Sequence, residues 1–302
     1  MIGVNTDADA HVSIDPRHPI PEDDTVFKDI LVPLLMGDIP SAALRAGCAL
    51  ARISGGHVTA LVGVSQTVPI AETWAYYPAG VYESMRDCAA ATTQAMADAT
   101  ADCLKSESVP FQIRQSQEFW STPAEICIEP ARQSDLVVIG AIAGDQREAR
   151  ERLASSVLVS SGRPMLVVPA SYNSAPGFGK AVIAWKSSRE SARALHDAMP
   201  WLQRMSSVDL LIVDEGARSS YAQSLDAMLI GHLERNQVGA QLVRRSAPAA
   251  QVGAIIDIHA QEVGADLLVA GGYSHSRLRE QVLGGATRFL MEHASVPTLL
   301  SH

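Results

Sequence analysis

Residues 266–300 read DLLVA (266–270), GGYSHSRLREQVLGGATRFLMEHAS (271–295) and VPTLL (296–300). After Asp266 the first run is apolar without alternation, the pattern of a strand covered on both faces, as in a parallel sheet flanked by helices. It ends on Gly271 and Gly272, where a turn of positive φ would meet no Cβ and successive amides could point at one anion. A second pair, Gly284 and Gly285, precedes a helix-like run at 286–294, whose unpaired amides and dipole face the same space. The stretch therefore predicts a phosphate cradle between a buried strand and a helix start. It holds neither the lysine-ending phosphate loop nor the three-glycine dinucleotide fingerprint.

Outward from this stretch, the same order of strands and helices occurs twice. DLVVIG at 135–140 answers DLLVAG at 266–271, RPMLVVP at 163–169 answers VPTLL at 296–300, and FKDILVP at 27–33 answers GKAVIAW at 179–185. Strands are expected near 27–33, 57–64, 111–115, 135–139 and 164–168, and again near 181–185, 208–213, 241–245, 266–270 and 296–300, with helical periodicity between them. A repeat of this length predicts an internal duplication, two like domains rather than one large sheet. The expected fold class is α/β: two tandem, doubly wound, five-stranded parallel sheets of Rossmann-like type, related by a pseudo-twofold axis. Residues 1–25 are polar and acidic and read as an N-terminal arm or tail. Residues 26–170 are the first domain, 171–179 (SYNSAPGFG) a linker, and 180–302 the second domain.

At 302 residues the chain is long enough for two cores, and 47% apolar with only 5% aromatic residues describes an Ala/Leu/Val-rich α/β protein rather than a β-sandwich. A formal charge of −9 argues against nucleic acid or an anionic membrane as partner, so any anion site must be local. Cys48, Cys88, Cys103 and Cys127 show no CxxC spacing and read as buried or idle thiols of a reducing, cytoplasmic compartment. No apolar run approaches the roughly 18 residues of a membrane span. No Cys/His cluster or HExxH pattern marks a metal, and no Ser/His/Asp arrangement marks a catalytic centre.

Gly271, Ser274, Gly284 and Gly285 stand at the places of a known nucleotide motif: Gly, two residues, Gly, nine residues, Gly, then Ser or Thr. Thr287 follows two positions later. Over residues 27–300 the chain resembles a tandem universal stress protein. The resemblance implies a stress-response regulatory protein, not an enzyme, whose second domain binds ATP or a related adenine nucleotide weakly, with no metal site of its own. It assigns Ala184, Trp185 and Lys186 to the end of that domain's first strand, Val213 to the end of its second, and Ala270, Gly271, Ser274, Arg277, Gly284, Gly285, Ala286 and Thr287 to the phosphate side. Lys186 stands where the family carries an Asp, and reads either as a counter-charge for phosphate or as a solvated loop lysine. Trp185 reads as a stacking surface for a base or as a plug. Ser188 reads as a helix N-cap.

The first domain is expected to be a structural copy. Val32-Pro33-Leu34-Leu35-Met36 lacks the family Asp, and Glu151 and Arg152 stand where the later glycines would open the helix, so that a carboxylate would repel phosphate. The competing reading is a scaffold or interaction protein with both sites degenerate, in which the aromatic stretch at 65–82 (Trp74, Tyr76, Tyr77) meets a partner. As partners the resemblance implies a small-molecule nucleotide and an intramolecular pseudo-dimer, compatible with a further homodimer.

Overall fold

The computed structural model describes residues 27–36, 42–64, 79–116, 121–142, 144, 146–172, 177, 179–214, 219–273 and 285–302. In the first half these form β1 (Asp29–Leu34), α1 (Ala42–Ser54), β2 (His57–Val62), α2 (Ala79–Ser106), β3 (Phe111–Gln115), α3 (Pro123–Arg132), β4 (Leu136–Gly140), α4 (Arg147–Ser160) and β5 (Met165–Val168). The second half repeats the order with β6 (Lys180–Ala184), α5 (Arg189–Leu202), β7 (Ser207–Asp214), α6 (Ser220–Arg235), β8 (Ala240–Ser246), α7 (Val252–Glu262), β9 (Leu267–Gly271), α8 (Gly285–His293) and β10 (Thr298–Ser301). The expected arm at 1–25 and most of the aromatic stretch at 65–82 lie outside the described residues.

The strands form one ten-stranded sheet in the order β3-β2-β1-β4-β5-β10-β9-β6-β7-β8. This corrects the expectation of two separate sheets. Each half is a five-stranded parallel sheet, as read from the sequence, but the two are fused where β10 runs antiparallel to β5, with Leu299 opposite Leu166. Both leucines are fully buried. The duplication survives the correction, because the strand order is mirrored about this junction and, among the ladders of the described strands, only the junction pair is antiparallel, as a twofold axis through it would produce. A short last strand with an unpaired edge is exposed to association; here each half covers the edge of the other.

Burial explains the apolar runs. β4 and β9 are buried along their first four residues. One core layer collects α1, α2, α5 and α6 on one face of the sheet, and the other collects α3, α4, α7 and α8. A strand between two helical layers has no solvent side, hence no polar alternation.

One polar device is repeated in both halves. Asp135 Oδ2 accepts from the backbone N–H groups of Lys28 and Asp29, each at 2.9 Å. Asp266 Oδ2 likewise accepts from those of Gly179 (2.8 Å) and Lys180 (3.0 Å). Each carboxylate thus closes the amino ends of two neighbouring strands with charge-assisted bonds. At Gly177 and Gly179 a Cβ would stand 2.6 and 2.7 Å from this carboxylate, so the glycines of the linker admit it.

Candidate functional site

In a doubly wound sheet the ligand crevice opens at the carboxyl ends of the strands, where the order reverses direction. In the second half that point lies between β6 and β9, and the register places Ala184 opposite Ala270 at its floor. Both alanines are buried, 9% and 6% exposed. Trp185 follows Ala184 and is half-buried, with its N–H donating to the Leu211 carbonyl at 2.8 Å. Its side chain packs against the core layer that includes α5 and α6. Lys186 is exposed, and its carbonyl accepts from the Ser188 N–H at 2.7 Å. Ser188 caps α5 as expected, its Oγ accepting from the Ser191 N–H at 3.2 Å. Val213, near the end of β7, packs against the opposite core layer.

The glycine pair after β9 works differently from the sequence expectation. Neither Gly271 nor Gly272 has positive φ; the left-handed residue is Tyr273, at φ 60°. Gly271 is required by close approach, since a Cβ there would stand 2.5 Å from the Ser191 nitrogen and 2.7 Å from the Glu190 carbonyl carbon. At Gly272 a Cβ would stand 2.6 Å from Leu158 Cδ2, a side chain of the first half. The amides on this side are already engaged: Gly272 N–H donates to the Ser301 carbonyl at 2.8 Å, and Tyr273 N–H to Thr287 Oγ1 at 3.2 Å. Thr287 is therefore a buried internal acceptor for the turn. Glu190, also buried, lies against Gly271 with its carboxylate 2.6 Å from the Arg189 guanidinium. Burial raises the Glu190 carboxyl, but the hydrogen bonds from Arg189, its own backbone and Ser188 outweigh it, leaving it below the ordinary glutamate value.

On the helix side, Thr287 takes part in these bonds. α8 begins at Gly285, with Ala286 and Thr287 in its first turn and no acidic residue there. Among the described residues nothing lies within 4 Å of a Cβ built on Gly285. The first amides of a helix have no intrahelical partner, so this end can receive an anion. Ser274, Arg277 and Gly284 lie outside the described residues, as do His275 and Arg279.

The corresponding end of the first half is built otherwise. α4 begins at Arg147 and carries Glu148 in its first turn. Glu151 and Arg152, expected at the helix start, lie one turn inside, and Glu151 pairs with Arg288 of α8 at 3.3 Å. The carboxylate thus serves the contact between halves rather than the cleft, a correction made by the earlier start of the helix. A cleft of about 190 Å³ at the carboxyl ends of β1 and β4 is lined by apolar side chains, among them Leu34, Met36, Ile139, Ile142 and Leu153, with Arg150 as the charged member. The turn amides there are used, Ala141 N–H by the Val168 carbonyl (2.8 Å) and Ile142 N–H by the Met291 carbonyl (2.9 Å).

A buried polar cluster escaped the sequence reading, which found no Cys/His cluster and no Ser/His/Asp arrangement. Asp209 Oδ2 lies 2.9 Å from His259 Nε2, and its Oδ1 accepts from Gln241 at 2.6 Å. Arg245, which can only donate, lies 3.3 Å from His259 Nδ1, so that nitrogen accepts and Nε2 carries the hydrogen given to Asp209. The set ties α7 to β7 and β8. Its members are 50, 32 and 14 residues apart in sequence, beyond any local motif. Among the described residues no group of three or more His, Cys, Asp or Glu side chains is placed to hold a metal. No described helix is long and apolar enough to cross a membrane.

A ten-stranded sheet fused from two mirrored, doubly wound parallel halves defines the class of tandem doubly wound α/β folds. Within it the chain has the fold of a tandem universal stress protein. A universal stress protein from Archaeoglobus fulgidus superposes over 93% of this chain and 98% of its own, with TM-score 0.65 at 12% identity. A putative universal stress protein from Pseudomonas aeruginosa covers 92% of this chain and 94% of its own (TM-score 0.57, 14% identity). A functionally unknown protein from Pseudomonas aeruginosa covers 93% and 94% (TM-score 0.56, 14% identity). No protein-family model matches the chain, and no curated protein matches it in sequence.

Proposed function

We propose that the protein is a stress-response regulator of the universal stress type, cytoplasmic and not an enzyme, in which the second half binds ATP or a related adenine nucleotide weakly. The observation that carries this reading is the asymmetry of the two helix starts. α8 opens on Gly285 without an acidic residue in its first turn, whereas α4 carries Glu148 in its own. A phosphate is favoured at the start of α8 by dipole and amides; at the start of α4 the first turn holds Glu148 between Arg147 and Arg150, with Arg147 engaged by Glu292 and Glu148 by Arg152. Weak binding follows from the rest of the site. The amides of Gly272 and Tyr273 already have acceptors, and Lys186 stands where a carboxylate would fix the ribose. The intramolecular pairing of the halves serves in this reading as the regulatory body, and the affinity for nucleotide as its signal input.

A second reading, a scaffold without nucleotide, is favoured by the contact of Gly271 with Glu190 and Ser191, which narrows the crevice from the α5 side. Native mass spectrometry of freshly purified protein and titration calorimetry with ATP separate the two. Heat at submillimolar to millimolar ATP, or co-purified nucleotide, is the expected result. No heat and no bound nucleotide at millimolar ATP would leave the scaffold reading in its place.

A further inference from the structure

We propose that Tyr273 is a positioning residue for the anion end of the second half and that the first half holds it in place, so that nucleotide binding at α8 and docking of α4 against α8 are coupled. The proposal rests on the nucleotide reading above.

Tyr273 is the first residue after the glycine pair and sits at φ 60°, a conformation that glycine adopts at little cost and a residue with a Cβ does not. Such a conformation persists where the surroundings impose it. Here both ends of the residue are tied. Its N–H donates to Thr287 Oγ1, the third residue of α8, at 3.2 Å. Its hydroxyl lies 2.7 Å from Ser155 Oγ, on α4 of the other half. Ser155 Oγ also donates to the Glu151 carbonyl at 2.5 Å, and the Tyr273 hydroxyl also donates to Met291 Sδ of α8 at 3.7 Å. Burial first of all, with the Glu151 charge adding and the Ser155 bond opposing, pushes the phenol up to about 12, and it keeps its hydrogen at neutral pH.

The contact continues on either side. Leu158 of α4 fills the space that a Cβ on Gly272 would need. Further along α8, Arg288 meets Glu151 and Glu292 meets Arg147. The helix whose first turn would receive phosphate is thus held by first-half residues from the turn before it to its last turn. A ligand that fixes the start of α8 must then favour the docked arrangement, and docking must favour the ligand by the same factor.

The test uses the full chain, with wild type, Tyr273→Phe, Ser155→Ala and the double variant. Affinity is measured by calorimetry with ATP, and amide hydrogen exchange of α8 and α4 is followed with and without ATP. Each single change is expected to weaken ATP about threefold to tenfold, and the double change about as much as the larger single one, because both remove the Tyr273–Ser155 bond. In wild type, ATP should slow exchange in α4 as well as in α8, a response that a purely structural bond would not give. Unchanged affinity in the single variants, additive losses, or α4 exchange insensitive to ATP would overturn the coupling. If wild type binds no ATP, the nucleotide reading fails separately. The positioning role is then judged on ligand-free exchange at the start of α8, expected to quicken in both single variants and overturned if it does not.

Discussion

Glu292 of α8 and Arg147 of α4 meet across the line where the two halves join, with contacts of 2.5 and 3.1 Å between guanidinium and carboxylate. The Glu292 side chain is 5% exposed and also accepts from Arg288 at 3.0 Å. Burial alone would raise its carboxyl; the hydrogen bonds and charges of Arg147 and Arg288 outweigh burial and hold it below the ordinary value of 4.5. A carboxyl depressed in the folded state gives stability that is present above 4.5 and is lost as the pH falls through the folded value. Urea unfolding of the wild type should therefore weaken progressively below pH 4.5, and Glu292→Gln should flatten that dependence. At pH 7 the same variant should lose about 2 kcal/mol, because two guanidinium groups lose their charged acceptor. An unchanged acid limb in Glu292→Gln would show that other carboxyls govern it.

Gly271 and Gly140 occupy matching places at the ends of β9 and β4, yet their surroundings differ. A Cβ on Gly271 would collide with backbone atoms of α5, which cannot rotate away, whereas among the described residues none lies within 4 Å of one on Gly140. Gly271→Ala should cost about 2–3 kcal/mol and Gly140→Ala at most about 0.5 kcal/mol. Denaturant midpoints at constant m-value check the difference; equal costs would refute the close-approach account.

The thiols should divide by burial. Burial pushes Cys48 and Cys127 up to about 12, keeping both protonated and unreactive in the folded chain. Cys88 is exposed. Alkylation at pH 8 followed by peptide mapping should label Cys88 first and leave Cys48 and Cys127 unlabelled until denaturant is added.

Gly285→Asp separates folding from binding at the start of α8. A carboxylate in the first turn complements the helix dipole, so thermal stability should be unchanged or raised by up to about 1 kcal/mol. The same charge would face the phosphates, so ATP affinity should fall at least about tenfold. Calorimetry and thermal unfolding on one preparation read both effects. Undiminished ATP binding would place the phosphates elsewhere.

The sequence by itself determined the parallel α/β class, the duplication, the number and order of the strands and the N-cap at Ser188. These follow from local causes: unbroken apolar runs, helical spacing, turn residues and a repeated Asp before β4 and β9. The Asp carried more than was read from it, since Asp135 and Asp266 make the same clip in both halves. Only the tertiary structure decided that β5 and β10 fuse the halves into one sheet, because an apolar strand records that it is covered and not by which neighbour. The glycine pair was visible, but its cause was not. Gly271 answers α5 and Gly272 answers Leu158, each more than 70 residues away, and the left-handed turn fell instead on Tyr273. Glu151 likewise read as a charge at a helix start until α4 was seen to begin at Arg147 and bring it to Arg288. Local patterns fix which residues turn, coil or hide; the partner of a side chain depends on the shapes of two surfaces brought together from distant parts of the chain.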